Sequence, residues 1–338
     1  YHLFTPRAGT HPRAIPFTDP EKFQVHTPSG GRLLWRSVGI KQDLKNTGIE
    51  LFHGLSHELP VGLYRTGIRS VVTIHDLIFL HYPTQYKWWD RQVYRAKFRY
   101  ACTHADSIIA ISESTKSDIV SAYGISPEKI SVIYQACDPI FQQALTPEAR
   151  SHTLAPYDLP REYLLYVGSL IERKGLHQIV KALRMLPASL DIPLIVVGKG
   201  KAYRKQVEAQ VRRYGLQDRV RFLMEIPFDA FPALYQQASA LVFPSMYEGF
   251  GIPVIEALWS RTPVITSDRS SLPEAGGPDS WYVDPEDAQS IAAAIMEVLE
   301  NTEARARRVA AGHAYVQRFD GQQLANQVMA VYREVMRG

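Results

Sequence analysis

Two glutamates, Glu248 and Glu256, stand on either side of the short segment Gly249-Phe250-Gly251. The apolar run Ala240–Phe243, which a proline follows, is typical of a buried parallel strand and places Glu248 in the loop after it. Pro253 suits the first position of a helix, so Glu256 is predicted about one turn inside that helix. The two carboxylates therefore flank a predicted helix N-terminus, where unpaired backbone N–H groups attract anions.

This spacing favours a site for a sugar attached to a phosphate. Gly249 and Gly251 have no side chain, so the backbone can approach a ligand closely. A carboxylate accepts hydrogen bonds from a pair of hydroxyl groups, so one acid could hold a hexose and the other a ribose. In the alternative interpretation, Glu256 is only a favourable first-turn acid and Glu248 is a solvated loop residue.

Two adjacent cations, Arg173 and Lys174, follow another predicted strand, which ends at Val167 and continues into a glycine turn at Gly168. Arginine binds phosphates through parallel hydrogen bonds and lysine through a compact charge, so we predict that the pair neutralises a diphosphate. A solvated turn is the alternative. Gly168 itself, and Lys199 between two glycines after the next strand, are further candidates on the same rim.

Histidines follow two predicted strands in the first half of the chain. His75 and Asp76 come directly after the predicted strand 70–74, and His75 could act at a reacting sugar by transferring a proton or donating a hydrogen bond. A structural histidine beside an aspartate is the alternative. His53 and His57 are open to the same interpretations, and we predict no metal site because no third ligand follows at a recognisable spacing.

The segment 87–100 combines aromatic residues with five basic residues and one acid. Such a segment can lie on an anionic membrane, with aromatic rings at the interface and basic side chains toward the headgroups. Packing of a helix against the domain core explains the aromatic residues equally well. The sequence leaves both interpretations open.

The composition is that of a soluble globular protein. The chain has 338 residues, 46% of them hydrophobic and 21% charged, which suits about two domains with substantial cores. A net charge of +4 implies no strong field for nucleic acid. Cys102 and Cys137 cannot form a disulfide framework, which favours a reducing cytoplasm. No apolar run approaches the roughly 18 residues of a membrane span, so any membrane contact is predicted to be peripheral.

Short apolar strands alternate with helical patterns in two successive series, which predicts an α/β protein with two doubly wound parallel sheets. The predicted strands are 51–53, 70–74, 107–111 and 130–134, then 163–167, 194–197, 220–223, 240–243 and 263–266. The polar stretch 142–161 is the best linker candidate, so we predict domains at 1–150 and 151–320, with a terminal helix at 321–338 that packs back toward the N-terminal domain. Because ligands bind beyond the carboxyl ends of such strands, we expect a cleft between the domains.

Several sequence blocks resemble the GT4-type retaining glycosyltransferases (group 1, mannosyltransferase-like), in the order in which that family has them. The most specific block is 243–256, which contains both glutamates, and the others are 73–77, 109–116, 166–168 and 173–175. The resemblance extends over nearly the whole chain. It implies the GT-B fold, in which two Rossmann-like domains face each other across the active-site cleft.

The resemblance also implies a role for each candidate in the second domain. Arg173 and Lys174 would bind the donor diphosphate, and Glu248, with the backbone of 249–251, would hold the transferred sugar. Glu256 would bind the ribose. The family usually needs no metal, because the cations and the helix N-terminus stabilise the leaving nucleotide diphosphate.

In the first, acceptor-side domain the resemblance implies that His75 lies beside the sugar. Family members open with a strand and a glycine-rich loop, which we expect ahead of Tyr1, and activity would depend on that segment. Many relatives carry arginine where this chain has Ser169, so diphosphate binding would depend more heavily on the two cations. The resemblance further implies that retention proceeds on one face of the donor sugar, with a donor phosphate oxygen helping to deprotonate the acceptor hydroxyl.

These features predict a cytoplasmic retaining glycosyltransferase. It would move a hexose, with mannose favoured by the resemblance, from GDP-mannose or a UDP-sugar to a glycan or lipid-linked acceptor in surface polysaccharide synthesis. We expect no cofactor, no metal and no nucleic-acid partner, and peripheral contact with the inner face of the plasma membrane is a further expectation. The alternatives are a nucleotide-sugar epimerase and an inactive binding or scaffold subunit; the acceptor, the linkage and the oligomeric state stay open.

Overall fold

The computed structural model describes residues 1–6, 9, 12–17, 19–28 and 34–338. The chain forms two compact units. The first consists of Tyr1–Ala110, Lys116–Ser131 and Val328–Gly338, and the second of Ile111–Thr115 and Val132–Gln327.

Strands and helices alternate along most of the chain. The strands are β1 (His2–Phe4), β2 (Gln24–His26), β3 (Leu51–Gly54), β4 (Arg69–Ile74), β5 (Ser107–Ala110), β6 (Ile130–Val132), β7 (Leu164–Val167), β8 (Leu194–Val197), β9 (Val220–Leu223), β10 (Ala240–Phe243), β11 (Val264–Ser267) and β12 (Trp281–Val283). The α-helices are α1 (Ile40–Asn46), α2 (Ile78–His81), α3 (Trp88–His104), α4 (Glu113–Tyr123), α5 (Pro147–Leu154), α6 (Leu176–Met185), α7 (Ala202–Arg213), α8 (Phe231–Gln237), α9 (Ile252–Trp259), α10 (Leu272–Gly276), α11 (Ala288–Glu300), α12 (Thr302–Val316) and α13 (Gly321–Arg337).

The second unit is built on a six-stranded parallel sheet in the order β12-β11-β10-β7-β8-β9. From β7 the chain adds β8 and β9 on one side of the sheet, and it then adds β10, β11 and β12 on the other, as in doubly wound folds. Strands β7, β8 and β10 are buried along their whole length, which is why each is a continuous apolar run. Apolar residues of α6 and α11 pack with these strands in one hydrophobic core.

The first unit contains a four-stranded sheet in the order β3-β4-β5-β6, in which β3, β4 and β5 are parallel. In strand β4, Val71, Val72 and Ile74 are fully buried. A separate pair, β1 and β2, forms a small parallel sheet. The described part of this unit therefore has the alternating parallel architecture that the sequence predicts.

All nine predicted strands are present as β3 to β11, and their ends agree with the prediction to within two residues. The prediction of an α/β protein with parallel sheets is confirmed. Strands β1, β2 and β12, of three residues each, are not among the nine predicted strands, whereas the equally short β6 is. The predicted terminal helix is α13.

The division between the units differs from the predicted boundary near residue 150, because residues 132–150 belong to the second unit. Hydrogen bonds to α8 explain this assignment. The backbone N–H of Leu145 donates to Gln236 Oε1 at 3.0 Å, and Arg150 Nη1 donates to the Gln236 carbonyl at 2.8 Å. The polar groups that suggested a solvated linker are thus satisfied by a helix of the second unit.

Helix α3 carries the aromatic and basic segment, and its aromatic residues divide into two groups. Phe98 is buried and stacks on His57 with a ring separation of 4.3 Å, so packing explains its presence. Trp88 and Trp89, in contrast, are 54% and 74% exposed. Among the residues that the structure describes, no helix has both the length and the apolar character needed to cross a bilayer.

Candidate active site

The candidate residues of the second unit meet at the carboxyl ends of β7 and β10. These strands are neighbours in the sheet, with Leu164 paired to Ala240, and the strand order reverses between them. In open parallel sheets ligands bind at such a switch point. Strand β7 leads through Gly168 to a short 3-10 helix, Glu172–Lys174, and β10 leads to the loop that contains Glu248.

Glu248 forms ion pairs with both predicted cations. Its Oε1 lies 3.2 Å from Arg173 Nη1 and 3.1 Å from Lys174 Nζ, and it accepts a hydrogen bond from Ser245 Oγ at 2.7 Å. The side chains of Glu248, Arg173 and Lys174 are only 12%, 6% and 13% exposed. This burial contradicts both the solvated-loop and the solvated-turn interpretations. Because two cations face one carboxylate, the cluster keeps an excess positive charge that suits an anionic ligand.

The second carboxylate oxygen of Glu248, Oε2, has no hydrogen bond or ion pair within the described ranges. It can therefore accept a hydrogen bond from a ligand hydroxyl. Arg173 has a role that its sequence context did not indicate: its Nη1 donates to the Tyr247 carbonyl, so it also holds the Glu248 loop. Lys174 Nζ lies 5.0 Å above the Phe243 ring, a contact that helps to fix its position.

Serine hydroxyls hold the backbone of the same loop. Ser270 Oγ accepts from the Glu248 N–H at 2.9 Å. Ser271 Oγ lies 2.9 Å from the Glu248 carbonyl oxygen and 2.8 Å from that of Phe250. Ser112 Oγ donates to the Gly249 carbonyl at 2.7 Å. None of these serines was predicted as a site residue, although Ser112 lies in the block 109–116, because their contacts with the loop join separate stretches of the chain.

Phe250 contributes to the site only through its backbone. Its side chain is 2% exposed and packs on Tyr134, with ring centroids 5.4 Å apart, and edge-on against Phe319 at 5.2 Å. The next residue, Gly251, has φ +131° and precedes α9. The positive φ favours glycine, and a Cβ there would lie 3.0 Å from Leu272 Cδ2, a contact that the leucine side chain would have to relieve.

Glu256 lies in the second turn of α9 and is mostly buried. Its Oε2 accepts a hydrogen bond from the Tyr235 hydroxyl at 2.7 Å. Burial raises the pKa of Glu256 from 4.5 to about 7; the Tyr235 hydrogen bond opposes this shift and the charge of Asp138 adds to it. Glu256 is thus more than a favourable helix acid, because a solvated carboxylate would not have so high a pKa.

The two further candidates differ in position. A Cβ at Gly168 would lie 3.5 Å from Lys174 Nζ, so this glycine borders the ion-pair cluster. The Lys199 backbone carbonyl accepts a hydrogen bond from Leu170 N at 2.8 Å, and its side chain is exposed. Lys199 therefore remains a prediction without a described side-chain contact to the cluster.

His75 lies at the carboxyl end of β4 in the first unit, where it neighbours His57. Its Nε2 donates to the Leu55 carbonyl at 2.9 Å, and the two imidazole rings are 5.1 Å apart, edge to face. Burial, together with the charge of His75, lowers the pKa of both His53 and His57 to about 4, so both are neutral at pH 7. Among the described residues no three His, Cys, Asp or Glu side chains are grouped so as to hold a metal ion.

Two family models match the chain, and between them they cover most of its length. The model described as "Glycosyl transferases group 1" matches residues 155–314, which contain the ion-pair cluster and Glu256. The model described as "Glycosyltransferase Family 4" matches residues 1–140, which contain His75. Each match thus lies almost entirely in one half of the chain.

Curated relatives share about three residues in ten with this chain. It is 29% identical over 288 residues to O-antigen chain mannosyltransferase B of Escherichia coli, a match that covers 84% of the chain and 74% of that protein. It is 31% identical over 252 residues to O-antigen chain mannosyltransferase RfbU of Salmonella typhimurium, a match that covers 74% of this chain and 65% of that protein. The second match thus spans slightly less than two thirds of that relative.

Solved structures share the fold. The structure of Alr3699/HepE of Anabaena in complex with UDP and glucose superposes with a TM-score of 0.76 and 20% identity, covering 98% of this chain and 99% of that one. The match extends over both units. It confirms the GT-B fold class that the sequence resemblance implies.

Proposed function

This chain belongs to the group 1 glycosyl transferases, and we propose that it is a retaining hexosyltransferase that acts in surface polysaccharide synthesis. It would transfer a hexose from a nucleotide-diphosphate sugar to a glycan or lipid-linked acceptor. The observation that carries the proposal is the ion-pair cluster of Glu248, Arg173 and Lys174 at the switch point of the second sheet. A carboxylate oxygen can accept a hydrogen bond from a sugar hydroxyl, and an excess of positive charge can bind a diphosphate.

We propose mannose as the transferred sugar. Both curated relatives described above are O-antigen mannosyltransferases, and each match covers more than two thirds of this chain. GDP-mannose is therefore the first donor to test. UDP-sugars come next, because the nucleotide in the Anabaena structure is UDP.

The chemistry of the reaction follows from the positions of the charges. Glu248 Oε2 accepts a hydrogen bond from a hydroxyl of the transferred sugar, while Lys174 and Arg173 balance the diphosphate as negative charge develops on it. Glu256 accepts hydrogen bonds from the ribose. His75, whose Nε2 donates to the Leu55 carbonyl, acts at the sugar through Nδ1. The acceptor hydroxyl oxygen bonds to the anomeric carbon on the same face from which the diphosphate departs, as the sugar–phosphate bond breaks. An oxygen of the leaving phosphate takes the hydroxyl proton. Because both events occur on one face, the configuration is retained. These residues supply the charge that a metal would otherwise supply.

Replacement of Glu248 by glutamine tests the proposal. Glutamine keeps the size of the side chain but carries no charge, and we expect hexose transfer from the preferred nucleotide sugar to fall by ~100-fold or more. The matched control is Glu300→Gln, at an exposed position at the end of α11, which should transfer at the unaltered rate. Equal turnover by the two variants would refute the role of Glu248.

Products of the same reaction distinguish the alternatives. A free epimerised nucleotide sugar would indicate an epimerase. Binding of GDP or UDP without any turnover would indicate a binding subunit. Binding of neither nucleotide, measured by calorimetry, would contradict the assignment of the donor site.

We further propose that helix α3 contacts an anionic membrane. Trp88, Trp89 and Val93 are at least half exposed, and Arg95 and Arg99 are exposed on the same helix. Exposed aromatic rings next to cations suit the headgroup region of a bilayer. The double variant Arg95→Ser/Arg99→Ser should bind vesicles that contain phosphatidylserine several-fold more weakly, and unchanged binding would contradict the proposal.

We propose a cytoplasmic location and a metal-independent reaction. Cys102 and Cys137 are both free and buried, which is compatible with a reducing compartment. Because cationic side chains balance the diphosphate, transfer should persist in EDTA at the rate measured with added Mg²⁺. Loss of transfer in EDTA, restored by Mg²⁺, would contradict metal independence.

A further inference from the structure

Ser271 contacts two carbonyl groups of the Glu248 loop at once. Its side chain is fully buried, and its Oγ lies 2.9 Å from the carbonyl oxygen of Glu248 and 2.8 Å from that of Phe250. A serine hydroxyl has one proton, so the two carbonyls share it. Both carbonyls must therefore point toward the same hydroxyl.

This contact determines the direction of two N–H groups. In a trans peptide the carbonyl oxygen and the following N–H point in opposite directions, and the described part of the chain has no cis peptide bonds. The carbonyl of Glu248 and the N–H of Gly249 belong to one peptide group. The carbonyl of Phe250 and the N–H of Gly251 belong to another. The N–H groups of Gly249 and Gly251 therefore both point away from Ser271.

These two N–H groups have no hydrogen-bond acceptor within the described ranges of the chain, although both residues are buried. Buried N–H groups are rarely left without a partner. Ser112 reinforces the arrangement, because its Oγ donates to the Gly249 carbonyl and so orients the intervening N–H of Phe250. Ser112 is also fully buried.

We propose that Ser271 is a positioning residue that aims the N–H groups of Gly249 and Gly251 at oxygen atoms of the donor, and that Ser112 assists it. The proposal rests on the function proposed above and adds the means by which the loop is preorganised. Without the shared hydroxyl the peptides can rotate, and N–H groups that must reorient before reaction stabilise developing charge less well. The sugar–diphosphate oxygens are the ligand class because Glu248, Arg173 and Lys174 border the same loop.

The test is a kinetic comparison of Ser271→Ala with Ser280→Ala. Ser280 is also buried, lies in the same unit and donates to a carbonyl, that of Gly276 at 2.7 Å, but it does not contact the loop. We expect Ser271→Ala to lower kcat/KM for the donor by ~10- to 100-fold with an unchanged KM for the acceptor, and Ser280→Ala to leave both unchanged. The melting temperatures of the two variants should fall by similar amounts.

Ser112→Ala provides a graded second measurement. Thr115 Oγ1 lies 3.4 Å from the same Gly249 carbonyl, so part of the contact remains, and the loss of kcat/KM should be smaller than for Ser271→Ala. If the unaltered chain transfers sugar and Ser271→Ala matches Ser280→Ala, the positioning role is overturned and the proposed function stands. If the unaltered chain transfers no sugar from any donor, the proposed function fails and this assignment fails with it.

Discussion

Replacement of Glu256 by glutamine should stabilise the second unit at alkaline pH. The carboxyl group is mostly buried and its pKa is raised from 4.5 to about 7, with burial as the largest cause. Glutamine has the same shape and carries no charge, and its carbonyl oxygen can still accept the hydrogen bond of the Tyr235 hydroxyl. The variant therefore removes the cost of ionising a buried carboxyl group while it keeps the contact.

The magnitude and the sign follow from proton linkage. Between pH 4.5 and about 7 the folded chain keeps a proton on Glu256 that the unfolded chain has released, so the free energy of unfolding falls as pH rises through this range. This pKa shift lowers the free energy of unfolding of the wild type by about 3 kcal/mol once the pH is above 7. For a unit of this size, 3 kcal/mol corresponds to a difference in melting temperature of about 6–12 °C.

Thermal unfolding at pH 5, 6, 7 and 8, followed by circular dichroism and calorimetry, measures this effect. The melting temperatures of Glu256→Gln and the wild type should be similar at pH 5 and should diverge as pH rises, with the variant more stable at pH 8. Glu300→Gln, at an exposed position, should show no such divergence. A difference between Glu256→Gln and wild type that is the same at every pH would refute the reasoning, since it would show that Glu256 does not titrate in this range.

Three other substitutions give separate tests. Lys174→Met removes one of the two cations at Glu248 and should weaken binding of the nucleotide diphosphate by ~10- to 100-fold in calorimetry, whereas Lys205→Met, on exposed α7 surface, should bind normally. Gly251→Ala places a Cβ 3.0 Å from Leu272 Cδ2 at φ +131° and should cost about 1–3 kcal/mol, and an unchanged melting temperature would contradict the strain argument. His75→Asn should lower kcat by ~100-fold or more with normal nucleotide affinity; weakened nucleotide binding with unchanged kcat would contradict a role at the reacting sugar.

Much of the fold could be predicted because buried parallel strands are locally distinctive. Strands β3 to β11 are short apolar runs with helical patterns between them, and such runs need no tertiary information to be recognised. Glu248, Arg173 and Lys174 could be identified for a similar reason, since glycine and proline mark the ends of the strands that carry them. Their mutual contact follows from strand order, because β7 and β10 are neighbours.

The serines and Tyr235 could not be predicted in the same way. Ser112 lies in the block 109–116, but its partner Gly249 is 137 residues away, and a hydroxyl that donates to a backbone carbonyl has no sequence pattern of its own, at Ser112 or at Ser271. The raised pKa of Glu256 depends on burial that only tertiary packing determines. The predicted linker 142–161 was misleading because polar groups in its first half bond to α8, whereas its composition is that of a solvated linker.

The most direct test of the proposed reaction is the anomeric configuration of its product. Incubation of the chain with GDP-mannose or a UDP-sugar and a glycan or lipid-linked acceptor, followed by NMR spectroscopy of the glycosylated product, determines both the transfer and its stereochemistry. We predict that the hexose is transferred with the configuration that it has in the donor, and that Glu248→Gln forms ~100-fold less of this product. An inverted product, or the same yield from Glu248→Gln, would contradict the account.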